Sequence, residues 1–255
     1  MLRVEWLVFV RQPRFVLLSL APLVMALLSA FSQYVAAQVG LLYTTGYAFI
    51  VRTLNLYAVL FLPFLSVSLA AYLILAEFQW RTIRRPFVEH IPRTRFLLTK
   101  TAITGVVQGL LMLPYGLLTL ALAAVLFGLQ PVLFEDVELS VGQSLLRPLL
   151  AYGWIGLELF WVMLLSQMLA LRTRNMLLAV LGGLLVFYGL MVFGESLPLP
   201  PLQWMIRFST RLVEAKALAP LVAEGTRALA VWALLVAGTL GLHVRLFLRQ
   251  DVTVA

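Results

Sequence analysis

Apolar residues in this chain fall into long unbroken runs separated by short polar segments. Six stretches, Phe15–Ala37, Thr53–Ala76, Thr101–Phe127, Pro148–Leu171, Met176–Phe193 and Thr226–Phe247, are apolar over most of their length. A helix needs roughly 20 such residues to cross a bilayer. A run that is apolar on every face has no side to turn towards water, so the pattern predicts an all-α integral membrane protein with six spanning helices. Two connections are too long for simple turns, 77–100 and 194–225. The second opens on Pro198, Pro200 and Pro201, then mixes Trp204, Ile206, Phe208, Leu212 and Val213 with Arg207, Arg211, Glu214 and Lys216. That mixture over Leu202–Ala219 predicts an interfacial or re-entrant helix before the last span. Ahead of the first run, Met1–Arg14 predicts an interfacial elbow. Trp6 and Phe9 suit a membrane surface, and Arg3, Arg11 and Arg14 share one side of a helical wheel with Glu5 and Gln12 nearly opposite.

Composition agrees with the runs. Of 255 residues, 62% are hydrophobic and 12% charged, with a mean hydropathy of +0.99. A soluble domain carries about 25% charged residues, so this chain has too little polar material to cover a water-exposed surface. The net charge of +8 does not point to nucleic acid, because the basic residues sit between the apolar runs, where membrane topology demands them. Arg3, Arg11, Arg14, Arg81, Arg84, Arg85, Arg93, Arg95, Lys100, Arg172, Arg174, Arg245 and Arg249 all fall on one side of a six-span arrangement. By the positive-inside rule that side is cytoplasmic and both termini lie there. The first run exceeds the ~7–15 apolar residues of a signal peptide, although Val35-Ala36-Ala37 loosely fits a cleavage site, so it is expected to stay as a span. Cysteine is absent, which removes disulfides and thiolate metal sites.

Catalytic signatures are missing. The chain has no Gly-rich phosphate loop, no H-E-x-x-H and no G-x-S-x-G. The two histidines, His90 and His243, are far apart in sequence and read as interfacial polar residues, so no metal site and no catalytic residue is expected. Glu135, Asp136 and Glu138 form an external acidic trio best read as a solvated loop. Glu158 lies near the middle of the fourth run, where a charge costs roughly 2.5–3.5 kcal/mol on insertion scales. It is expected to face protein or water, lining a cavity or interface or bonding across to Gln108. Gly105 and Gly109, Ala179 and Gly183, and Ala233, Ala237 and Gly241 recur at four-residue spacing, the mark of close helix packing within one subunit or between subunits.

The connection 77–100 is the most informative segment. Glu77, Thr82, Arg84, Pro92, Arg95 and Lys100 follow the pattern E-x4-T-x-R-x7-P-x2-R-x4-K. The segment resembles the one between the second and third spans of ABC-2 type ATP-binding-cassette transporter permease subunits, and the likeness extends to the amino-terminal elbow, the six spans and the long external connection. Pro86 departs from it, because relatives continue a helix there. The resemblance implies a coupling helix that docks on a separate ATPase subunit. Arg81, Thr82, Arg84, Arg85, Phe87, Ile91 and Arg95 would contact that partner, while Glu77 and Lys100 would anchor the loop. It further implies a second permease subunit, identical or paralogous, with ATP and Mg on the partner ATPase and no cofactor in this chain. The expected place is a bacterial or archaeal cytoplasmic membrane, in contact with its lipids.

Two other classes compete. A proton-coupled secondary transporter would use Glu158, but calls for more intramembrane ionisable residues and detectable inverted repeats. A membrane-embedded lipid-modifying enzyme would need Asp, His or Ser clustered near an interface, and the acidic trio has no histidine beside it. The bland reading of the basic loop is a topogenic segment paired with anionic lipid.

Overall fold

The computed structural model describes residues 13–41, 44–79, 92–134, 137–194, 196, 200–214 and 219–249. The chain is helical almost throughout. Helix α1 is Pro13–Gln38; α2 (Gly46–Leu56) runs through a π-helical turn, Tyr57–Phe61, into α3 (Leu62–Gln79); α4 is Arg93–Leu126. A short hairpin, β1 (Val132–Phe134) and β2 (Val137–Leu139), leads to α5 (Val141–Thr173). Then come α6 (Met176–Phe193), α7 (Pro200–Glu214) and α8 (Ala219–Arg249). Six helices are long and apolar enough to cross a membrane: α1, the continuous α2–α3 rod, α4, α5, α6 and α8. This is the build of a multi-pass membrane protein.

Most of these helices run longer than their apolar stretches. The second begins at Gly46, the third at Arg93 and the fourth at Val141, each seven or eight residues before the hydrophobic run opens. Caps set these starts. Thr45 Oγ1 accepts from Ala48 N at 3.2 Å and Ser140 Oγ from Gln143 N at 3.4 Å, each satisfying a backbone N–H that the first helical turn leaves open. Between α5 and α6 the chain turns in two residues. Arg174 takes a left-handed conformation (φ 52°) and Asn175 caps α6 by accepting from Leu178 N at 3.2 Å. Gly46 opens α2 directly under the carbonyl of Gly128, where a Cβ would collide with it. The hairpin, paired Val132↔Leu139, Leu133↔Glu138 and Phe134↔Val137, carries Glu138 of the acidic trio on a strand rather than in an irregular loop. Glu135 and Asp136 fall outside the described residues.

Helix α5 is the hub, packing against α2, α3, α4, α6, α7 and α8. In the most apolar stretch of α5 and of α2–α3, 61% of residues are buried, against 22% in α1 and α6 and 17% in α8. The outer helices accordingly present Leu27, Phe31, Leu181, Leu185 and Leu234 outward, as helices solvated by lipid must. Acyl chains are as apolar as leucine, so close packing and hydrogen bonds, rather than water exclusion, hold such helices together.

The small-residue pairs divide by position. Ala179 and Gly183 are buried where α6 meets α3 and α5, and Ser166 Oγ donates to Ala179 O at 3.0 Å. A Cβ on Gly183 would stand 2.6 Å from Val67 Cγ1 and 3.2 Å from Ser166 Cβ. Gly105 abuts Phe160 at 3.2 Å by the same measure, whereas Gly109 has open space. Ala233, Ala237 and Gly241 lie on the exposed side of α8, so this stripe takes no part in packing within the subunit.

Gly183→Val therefore forces apart two side chains with little freedom to move, at about 1–3 kcal/mol. Gly109→Ala adds a methyl into open space and raises helix propensity. Thermal unfolding in nanodiscs should show a lowered midpoint for Gly183→Val and an unchanged or slightly raised one for Gly109→Ala. Equal midpoints for both would contradict this packing.

Candidate functional site

Most of the residues expected to contact a partner, Arg81, Thr82, Arg84, Arg85, Phe87 and Ile91, lie outside the described residues. So do His90 and residues 1–12 of the amino-terminal elbow, whereas Pro13 and Arg14 open α1. The roots of the 77–100 connection are described. Glu77 sits in the last turn of α3, and α4 begins directly after Pro92. Arg95 is exposed in the first turn of α4. Lys100 is buried, 3% exposed, with its ammonium 5.5 Å from the Phe96 ring centroid.

Both roots are tied to other spans. The Arg174 guanidinium, at the α5–α6 turn, stands 5.3 Å from the centre of the Phe78 ring at the end of α3. Arg93 Nη1 donates to Leu248 O at the end of α8 at 3.3 Å, and the Phe96 and Phe247 rings stack with centroids 5.9 Å apart. The start of α4 and the end of α8 are thus fastened together, and the end of α3 touches the α5–α6 turn.

The expected bond between Glu158 and Gln108 is not made. Gln108, 4% exposed on α4, accepts from Ser66 Oγ on α3 at 2.6 Å. Glu158 instead accepts from Trp154 Nε1 one turn earlier on α5 at 2.8 Å, and the same indole N–H reaches Met205 O on α7 at 2.9 Å. The spacing Trp154–Glu158, i to i+4, puts both side chains on one helix face, which explains why the nearer indole takes the carboxylate. His243 is fully buried in α8, with neither ring nitrogen partnered among the described residues.

Helix α7 differs from the surface helix expected over Leu202–Ala219. Met205, Phe208 and Leu212 are buried against α5 and α8. Phe208 packs edge-on to Trp154 with centroids 4.8 Å apart and fills the space beside Gly225. Of the apolar residues that the sequence offered to the interface, Phe208 and Leu212 are buried by protein, Ile206 and Val213 are half-buried and Trp204 is exposed. An ion pair, Arg211 to Glu224 at 2.6 Å, fastens α7 to α8.

Two of the cavities that flank α5 share Tyr152 as a wall residue. One, of about 240 Å³, lies between α2, α5 and α7, with Val51, Leu54, Pro148, Ala151 and Ile155 as its apolar wall and Asn55, Ser209, Thr210 and Glu214 as its polar side. The other, of about 620 Å³, is an apolar groove between α4 and α5 lined by Gly105, Gly109, Gly116, Gly153 and Gly156, with Gln108 the polar exception. Sequence reading singled out none of the polar cleft residues except Glu214, as part of a mixed segment; Asn55, an amide inside an apolar run, was the available signal. Among the described residues no group of three or more His, Asp or Glu could hold a metal ion.

Comparison with known proteins returned no match to any family model, curated protein or solved structure.

Trp154→Phe removes the one N–H that reaches both Glu158 and α7. Leaving those acceptors without it costs about 1–3 kcal/mol. Hydrogen–deuterium exchange should rise selectively across Pro200–Glu214 while α6 keeps its protection. Unchanged exchange in α7 would show that this bond does not hold it.

Proposed function

We propose that this chain is the transmembrane permease subunit of an ABC-2 type exporter, moving substrate by alternating access driven by ATP hydrolysis on a separate subunit. The observation that carries the reading is the E-x4-T-x-R-x7-P-x2-R-x4-K spacing, placed between the second and third of six apolar helices. The pattern, the basic charge and the position agree with a coupling segment that receives an ATPase.

The contacts at the loop's roots support the same reading. A displacement of 77–100 would pull directly on α3 and α4, on the α5–α6 turn through Phe78 and Arg174, and on the end of α8 through Arg93 and Leu248. A loop so connected can pass a push from outside the membrane to most of the bundle at once. Arg81, Arg84 and Arg85 suit contacts to partner carboxylates, because a planar guanidinium holds a carboxylate through two hydrogen bonds. Phe87 and Ile91 serve as apolar anchors. In this reading a second permease subunit, identical or paralogous, completes the pathway, ATP and Mg reside on the ATPase, and both termini lie in the cytoplasm of a bacterial or archaeal cell.

The test leaves every charge in place. Phe87→Ala with Ile91→Ala should reduce co-purification of the ATPase and its substrate-stimulated hydrolysis several-fold, with membrane insertion intact. Normal assembly and coupling in that variant would instead favour a topogenic loop bound to anionic lipid. The isolated chain should hydrolyse no ATP; robust hydrolysis by it alone, free of contaminants, would sink the reading.

A further inference from the structure

The cleft between α2, α5 and α7 has a chemistry of its own. Part of its wall is aliphatic, and part carries hydroxyls, an amide and one charged group, the carboxylate of Glu214. That carboxylate forms no ion pair among the described residues. The nearest arginine on its own helix, Arg211, is engaged by Glu224, with Nη1 2.6 Å from each carboxylate oxygen. Arg52 and Arg147 adjoin wall residues in sequence but do not line the cleft. Asn55, Ser209 and Thr210 add oxygen acceptors to the same lining.

These features select a cation. An anion would meet a repulsive carboxylate, whereas a cation gains it as a counter-ion and the hydroxyl and amide oxygens as further acceptors. The volume of about 240 Å³ suits a small molecule, and the aliphatic wall requires part of that molecule to be apolar. We propose that this cleft binds a small amphipathic ammonium ion, its positive group against Glu214 and its apolar body against Val51, Leu54 and Ile155. The site is built within one subunit. It therefore exists whether or not the chain couples to an ATPase.

Benzyltrimethylammonium is a suitable probe, with benzenesulfonate as its oppositely charged counterpart. Both are titrated calorimetrically into the purified full chain in phosphatidylcholine nanodiscs, a neutral membrane that does not itself concentrate cations. Saturable one-site binding of the ammonium and none of the sulfonate are expected. Glu214→Gln changes an exposed side chain without changing its size and should weaken binding at least tenfold. Ile155→Trp should abolish it by filling the cleft, with the thermal midpoint of each variant reporting its folding. Absence of saturable binding, equal affinity in Glu214→Gln, or equal binding of the sulfonate would overturn the proposal. So would full affinity in a folded Ile155→Trp variant, which would place the cation on Glu214 outside the cleft.

Discussion

Inside hydrocarbon there is no water to receive a hydrogen bond, and each backbone or side-chain polar group must find its partner within the protein. Tyrosine hydroxyls tie the bundle together by reaching backbone carbonyls near its irregular stretches of helix. Pro114 supplies no N–H and its ring pushes away the carbonyl of the preceding turn. In that turn Leu111 O accepts from Tyr57 OH at 3.3 Å and Met112 O from Tyr152 OH at 3.2 Å. The π-turn Tyr57–Phe61 disturbs the ladder in the same way. There Val59 O accepts from Tyr188 OH at 2.9 Å, and one turn earlier Thr53 O accepts from Tyr115 OH at 3.0 Å. The rings of Tyr57 and Tyr115 stack with centroids 3.8 Å apart, and Tyr115 lies 6.5 Å from Tyr152. Irregular backbone and tyrosines thus form one joint between α2, α4 and α5.

Several side chains meet the same demand between spans, buried His243 being one exception among the described residues. Gln33 Nε2 donates to Thr53 Oγ1 at 2.9 Å, Gln167 Nε2 to Thr104 Oγ1 at 2.6 Å, and Trp161 Nε1 to Thr239 Oγ1 at 2.9 Å. Each bond joins a different pair of spans. Measured bonds of this kind in membranes are worth about 0.6 kcal/mol on average, so their larger effect is to set which helix faces meet.

The six spans were legible because the bilayer imposes a length that the apolar runs meet directly. What the runs could not reveal was how far each helix continues outside them. Thr45, Pro92 and Ser140 set those starts from within polar segments, where hydropathy has no signal. The bond from Glu158 to Gln108 is not made for a related reason: Ser66 holds Gln108, and the Trp154 indole, apolar by hydropathy, offers an N–H one turn away on the same helix face. Helix α7 shows the limit of composition. A face rich in Trp, Phe and Leu suits lipid and protein equally well, and only the fold decides that α5 and α8 cover it. The Ala233–Ala237–Gly241 spacing likewise carries no address, since a stripe that permits close approach does not say to what.

The proposed function rests on the connection between the second and third spans, and contacts at its described roots join it to the rest of the bundle. Both of its roots touch other helices near their ends, and α5, the hub they reach through Arg174, also carries Glu158, Tyr152 and the tryptophan that holds α7. The most direct measurement is site-specific photocrosslinking from position 87 in native membranes, followed by identification of the crosslinked species. The account predicts peptides from an ATPase that carries the phosphate-binding G-x-x-x-x-G-K-[ST] signature. Crosslinks to lipid alone, in membranes where that ATPase is present, would contradict it.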